Sequence, residues 1–160
     1  MWLLPVFSQV SSLAVRTFYR LTVSGERVPR TGPVLIVANH PNSLMDPALV
    51  AAVAGRPVRF LAKAPLFTDP MVGFLVRGSG ALPVYRQGDG IAGSNDDTFR
   101  AVHAALAGGS AVSLFPEGTS HSNPSLVPLK TGAARIALGG AAFDIPVSPV
   151  PRDIMAIGGV

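Results

Sequence analysis

Three short clusters in the chain carry side chains able to do chemistry. The first runs Ala38, Asn39, His40, Pro41, Asn42, Ser43, Leu44, Met45, Asp46, Pro47, directly after an apolar stretch. An imidazole titrates near pKa ~6.5 in water, so around neutral pH it is mostly free to accept a proton. A carboxylate on the other ring N–H fixes the tautomer and stabilises the imidazolium formed in the reaction. His40 and Asp46 are therefore a candidate general base and its orienting partner. A plainer reading stands beside it. Asp46 followed by Pro47 is a good helix N-cap with proline at the first helical position, which leaves His40 as a loop residue.

The second cluster, Gly80, Ala81, Leu82, Pro83, Val84, Tyr85, Arg86, is a strand that delivers one arginine to its carboxyl end. A guanidinium there can hold phosphate through paired N–H donors; taken alone, the cluster reads first as a surface arginine at a strand terminus. The third is Leu114, Phe115, Pro116, Glu117, Gly118, Thr119, Ser120, an apolar strand ending in a turn that accepts Pro and Gly. That account leaves Glu117 unexplained, although it is one of only two glutamates in the chain, with Glu26. The backbone N–H groups of residues 118–120 are candidates to bind an anion or an oxyanion. No G-x-S-x-G, Walker A or H-E-x-x-H pattern occurs.

The elements that must position these clusters alternate. Mostly apolar runs at 34–38, 58–61, 81–85, 111–115 and 145–150 read as strands. Between them, 47–54, 70–76, 96–106 and 131–138 read as helices, with Ser94 or Asn95 available to cap the third. Apolar strands alternating with helices imply an α/β domain with a largely parallel sheet covered by helices. Ligands in such sheets sit beyond the carboxyl ends of the strands, which is where all three clusters fall. The stretches 87–94 and 121–125, rich in Gly, Ser and Asn, follow two of those strands and read as substrate loops.

Composition narrows the classes. The 160 residues suit one domain, and 48% hydrophobic with 14% charged and mean hydropathy +0.41 excludes intrinsic disorder. Absence of cysteine excludes disulfides, a Cys-ligated zinc and a thiol nucleophile, and three histidines (His40, His103, His121) are thin material for an imidazole metal site. The net charge is +4 and the pI is about 10.3, with eleven arginines against Lys63 and Lys130. The arginines are scattered singly and aromatics reach only 7%, so nucleic acid is a poorer partner than an anionic membrane or a phosphorylated substrate. No stretch reaches the ~18 apolar residues of a spanning helix, and the N-terminus lacks the order of a signal peptide.

Residues 2–21 read as an amphipathic helix. Leu3, Phe7, Val10, Ala14 and Phe18 recur at helical spacing, opposite Ser8, Ser12, Arg16 and Arg20. Trp2, Phe18 and Tyr19 suit headgroup depth. Docking on the domain's own core and lying on a membrane are both open, and are compatible if each takes one face. The expected division is a membrane-associating helix at 1–21, the main domain at 22–150 and a short tail at 151–160.

In order, these clusters resemble the glycerolipid acyltransferase family, the enzymes that acylate glycerol-3-phosphate and 1-acylglycerol-3-phosphate (lysophosphatidic acid). Asn39, His40 and Asp46 are similar to its first block. Gly80 to Arg86 is similar to the second, Phe115 to Ser120 to the third, and Ile145, Pro146, Val147, Ser148, Pro149, Val150 to the fourth. Leu129, Lys130, Thr131, Gly132, Ala133, Ala134 resemble the segment after the third block. The likeness spans roughly residues 30–150. Two departures stand out. Five residues separate His40 from Asp46 where the usual family spacing has four, a trait that resembles a subgroup with Asn-His-Pro-Asn. Family members also continue well past the fourth block, so the resemblance implies a truncated or unusually short member with an incompletely covered sheet.

The resemblance implies the glycerol-3-phosphate acyltransferase-like fold and direct acyl transfer, without metal or cofactor. His40, supported by Asp46, deprotonates the acceptor hydroxyl, which attacks the thioester of acyl-CoA or acyl-carrier protein. Asn39, Arg86, Glu117, Gly118, Thr119, Ser120 and Lys130 bind substrate, with Arg86 on the acceptor phosphate. Partners are then a glycerophospholipid precursor, the acyl carrier and the cytoplasmic face of an anionic membrane, with no nucleic acid. A catalytically inactive lipid-binding module of the same fold and a thioesterase-like hydrolase are the alternatives.

Overall fold

A computed structural model describes residues 2–42, 45–85, 94–120, 127–141 and 154–158. Its elements are α1 (Leu4–Phe18), β1 (Tyr19–Val23), β2 (Val34–Val37), α2 (Met45–Ala54) and β3 (Val58–Lys63). A 3-10 turn at Ala64–Phe67 then leads to α3 (Val72–Gly78), β4 (Leu82–Val84), α4 (Asn95–Ala107), β5 (Ala111–Leu114), α5 (Gly132–Ala141) and β6 (Ile154–Gly158). Four parallel strands form one sheet in the order β2-β5-β3-β4. The expected α/β fold with a parallel sheet is the one observed.

Alternation along the strands sends their side chains into two apolar layers. Val34, Ile36, Val58, Phe60 and Ala111 pack with Val50 and Ala54 of α2 on one face. Leu35, Leu61, Val112 and Leu114 pack with Val102, Ala105 and Leu106 of α4 and Ile136 of α5 on the other. Burial on both faces is why β5 is apolar at every position but Ser113. Pro83, which has no N–H to give a ladder, sits on β4, an edge strand. Thr98 anchors that edge: its hydroxyl donates to the Pro83 carbonyl at 3.1 Å and accepts from the Tyr85 N–H at 3.4 Å. Ser94 caps α4 in a capping box with Asp97, whose carboxyl is held below its usual range by the Ser94 backbone N–H and hydroxyl.

The N-terminal segment departs from its sequence reading. The helix ends at Phe18, and Tyr19–Val23 is a strand, because β6 pairs antiparallel with it from Tyr19↔Gly158 to Val23↔Ile154. The last ten residues therefore carry a strand rather than only a tail. The structure also settles which face of the helix docks. Leu4, Ser11 and Val15 are the buried face of α1, which packs on α2, while Phe7, Val10 and Phe18 are exposed. Small Ser11 lets the two helices approach closely. The start of α1 rests on the end of α3, where a Cβ on Gly78 would lie 2.5 Å from Leu3 Cδ1. No described helix is long and apolar enough to cross a membrane. The expected strand at 145–150, and with it the fourth block, lies outside the described residues.

Candidate active site

β2 and β5 are neighbours, with Val37 opposite Leu114, and the ladder runs one step further through the Ala38 N–H to the Leu114 carbonyl at 3.3 Å. The two chains thus leave the sheet side by side at their carboxyl ends, and this brings the first and third clusters together. His40 Nδ1 lies 2.9 Å from Asp46 Oδ2, with the two side chains 17% and 10% exposed. Asp46 belongs to the first turn of α2, yet its carboxylate turns back along the chain. Oδ2 also accepts the Asn42 N–H at 2.7 Å, and the Asp46 N–H donates to the Asn42 carbonyl at 3.0 Å. That closed turn lets residues six apart in sequence meet across a loop. Asp46 acts toward His40 and Asn42, so the plain N-cap reading does not describe it.

Glu117 is 2% exposed, and its Oε2 accepts the backbone N–H of His40 at 2.8 Å. Its carboxylate is turned inward onto the histidine loop. The turn beneath it has the expected chemistry: the Gly118 N–H donates to the Phe115 carbonyl at 3.0 Å, with Pro116 at the second position. This corrects one expectation, since the Gly118 N–H is engaged in the turn rather than offered to an anion. Gly118 has φ +70°, a conformation that favours glycine, and a Cβ there would meet Lys130 Nζ at 2.8 Å. Lys130 is drawn to this spot by its own N–H, which donates to the Pro116 carbonyl at 2.8 Å. Thr119 Oγ1 donates to the Ser120 carbonyl at 3.4 Å.

Of the expected site residues, then, the fold brings together His40, Asp46, Glu117, Gly118 and Lys130, with Asn39, Thr119 and Ser120 on the same loops. Arg86 lies outside the described residues, two positions beyond the end of β4, as do 87–93 and 121–125 of the stretches read as substrate loops. His103 is structural: its Nε2 sits 3.0 Å from the Ile136 carbonyl, and a Cβ on Gly139 would lie 2.6 Å from its Cε1.

Two residues of this end of the sheet were not singled out in the sequence. Phe115 stacks on the His40 ring, with centroids 4.1 Å apart and an interplanar angle of 10°. Lys63 closes β3, which lies between β5 and β4, so both lysines of the chain stand at the carboxyl ends of the strands. Only the strand order, with β2 and β5 adjacent, makes the Phe115 contact visible.

A parallel sheet with a His–Asp pair beyond its carboxyl ends defines the class of site, and the fold is shared with a solved structure. The 1-acyl-sn-glycerophosphate (LPA) acyltransferase PlsC from Thermotoga maritima superposes with TM-score 0.66 at 22% identity, covering 86% of this chain and 53% of that one. A family model described as Acyltransferase matches residues 20–151, and the chain belongs to that family. It is 29% identical over 142 residues to the chloroplastic 1-acyl-sn-glycerol-3-phosphate acyltransferase BAT2 of Brassica napus, covering 88% of this chain and 39% of that protein. It is 34% identical over 130 residues to lyso-ornithine lipid O-acyltransferase of Rhizobium meliloti, covering 81% and 41%. The chain spans about two fifths of the length of these curated relatives.

Proposed function

We propose that this chain transfers a fatty acyl group from an acyl thioester, on CoA or acyl-carrier protein, to the hydroxyl of a lysophospholipid or glycerol-3-phosphate. The observation that carries the reading is the His40 Nδ1–Asp46 Oδ2 contact at 2.9 Å, at the carboxyl end of β2 in a chain of this family. With Nδ1–H donated to Asp46, Nε2 holds the lone pair that takes the acceptor's hydroxyl proton. The oxygen attacks the thioester carbonyl, the C–S bond breaks as the tetrahedral intermediate collapses, and the imidazolium returns the proton to the departing thiolate. An ester and a free thiol result. Glu117 serves this step by holding the backbone of His40. Arg86, which follows the β4 edge anchored by Thr98, is the residue for the acceptor phosphate, with Lys130 and Lys63 adding positive charge. The relatives named for lysophosphatidic acid and lyso-ornithine lipid support a lysolipid acceptor.

The same reading places the chain on the cytoplasmic face of an anionic membrane as a peripheral protein. Trp2, Val10, Leu13 and Phe18 of the α1 segment are exposed, and Met71, Phe74 and Leu75 at α3 continue that apolar surface. The Trp2 and Phe74 rings touch edge-on with centroids 5.6 Å apart, which joins the two helices into one patch.

The test is to incubate the chain with labelled acyl-CoA or acyl-carrier protein and, separately, lysophosphatidic acid, a lyso-ornithine lipid and glycerol-3-phosphate. Acylated acceptor and free thiol in equal amounts are expected. Free fatty acid released without any acceptor would instead support the hydrolase, and no turnover with any pair would support the binding module.

A further inference from the structure

We infer that Phe115 is a positioning residue for His40, fixing the plane of the imidazole so that its far nitrogen meets the acceptor hydroxyl at one angle. The inference rests on the general-base reading of His40 given above. Two other groups already hold this histidine. Glu117 Oε2 fixes its backbone N–H at 2.8 Å, and Asp46 Oδ2 fixes ring atom Nδ1 at 2.9 Å. A hydrogen bond to one edge atom still lets the ring rock about the line through Cβ and that bond. Rocking moves Nε2, on the opposite edge, more than any other atom of the ring.

The Phe115 face removes that freedom. The rings are nearly parallel, at 10°, and 4.1 Å between centroids is contact distance for aromatic faces. Phe115 is itself anchored. Its carbonyl accepts the Gly118 N–H at 3.0 Å, the next residue is a proline of fixed φ, and the Pro116 carbonyl accepts the Lys130 N–H at 2.8 Å. Its place also follows from the fold, because it comes one residue after the Val37↔Leu114 pair on adjacent strands. The turn that follows β5 therefore supplies two supports for His40 from residues two apart, a ring against its face and a carboxylate on its backbone.

The experiment compares Phe115→Leu with Phe115→Tyr in the full chain. Leucine nearly fills the volume but has no flat face; tyrosine keeps the face. Phe115→Leu is expected to lower kcat by about 10- to 100-fold, the scale of a catalytic group displaced by about an ångström. KM for donor and acceptor should stay within about twofold, because ground-state binding is untouched. Phe115→Tyr should restore kcat to within about threefold of wild type on the same reasoning. A wild-type kcat in Phe115→Leu, a raised KM at unchanged kcat, or a Phe115→Tyr as slow as Phe115→Leu each overturns the inference. NMR of the wild-type chain with labelled histidine tests it even if the variants fail to fold. The ring protons of His40, assigned by their loss in His40→Ala, should be displaced upfield by the stacked ring, and their absence from that region overturns the stack. If His40→Ala keeps full turnover, the general-base reading itself fails. If His40→Ala is inactive and Phe115→Leu is not, only the role of Phe115 fails.

Discussion

The carboxyl ends of β2 and β5 and the outer faces of α1 and α3 depart from ordinary burial in opposite directions. At the first, two carboxylates are inside the protein, with Glu117 at 2% and Asp46 at 8% exposure. At the second, Trp2, Leu13 and Met71 are between 66% and 78% exposed. Single exceptions of either kind are common in folded proteins; clusters are not. The buried carboxylates are offset by hydrogen bonds from the His40 N–H, His40 Nδ1 and the Asn42 N–H, all supplied by this chain. The apolar faces have nothing comparable among the described residues. One region is satisfied by hydrogen bonds from within, while the other suits a surface from outside, which is the membrane contact proposed for it.

The sharpest break in this comparison comes from the first region. His40→Ala should lower acyl transfer by about 10²–10⁴-fold, the usual contribution of a general base, with secondary structure unchanged by circular dichroism. Asp46→Asn keeps the shape and an oxygen for the Asn42 N–H but loses the charge that stabilises the imidazolium. It should fold normally and turn over severely more slowly. A kinetically normal Asp46→Asn would reduce the pair to loop architecture and erase the distinction between this end of the sheet and any other.

Glu117 comes next in expected size. Glu117→Ala leaves the part-buried His40 N–H without its acceptor, which costs about 1–3 kcal/mol and is read as a lower denaturation midpoint. The same variant should lower kcat while leaving the acceptor KM alone. A raised acceptor KM at unchanged kcat would mean instead that the carboxylate binds substrate, as the family resemblance implied. Glu117→Gln, which keeps a neutral acceptor oxygen, should fall between wild type and the alanine variant on both readouts.

What the sequence disclosed about these two regions differs for a physical reason. His40, Asp46 and Glu117 are legible because their chemistry is in their side-chain types and their places follow continuous apolar runs. The strands of the parallel sheet are legible in the same way, since burial on both faces leaves a mostly apolar signature. The Phe115 contact is not legible, because it depends on β5 lying next to β2, more than seventy residues away in the chain. β1 is hidden for a related reason. Phe18, Tyr19 and Leu21 continue the helical pattern of α1, and only the distant partner β6 draws Tyr19–Val23 into an extended form. The docked face of α1 is not legible, because its buried residues Leu4, Ser11 and Val15 are not the larger apolar stripe.

The second region is sharpened by removing apolar side chains that the fold does not use. Trp2→Ser and Phe74→Ser should each weaken binding to anionic vesicles by about tenfold, within the range expected for losing a large apolar side chain's burial. The double variant should show less than the product, because the two rings touch. Thermal stability should hardly change. Raising salt should remove a further, arginine-dependent part of the binding by screening. Vesicle binding unaffected by both substitutions would detach this patch from the membrane.

Ser113 gives the smallest effect and tests whether every buried polar group on β5 is functional. It lies two residues before Phe115, is fully buried, and stands in register between Ile36 on β2 and Phe60 on β3. Those neighbours belong to the apolar layer under α2, and among the described residues its Oγ has no hydrogen-bond partner. Glu117 is buried too, but its Oε2 accepts the backbone N–H of His40. A buried hydroxyl without a partner loses its water and gains no bond, a penalty on the order of 1–3 kcal/mol. Ser113→Ala deletes one oxygen and leaves only a small void, so the net result should be a stabilisation of about 1 kcal/mol. For a chain of this size that raises Tm by about 2–4 °C. Turnover should be unchanged, since no part of the His40 cluster moves. A lower Tm would show that the hydroxyl is bonded in solution, and a lower kcat would extend the active site down the strand beneath α2.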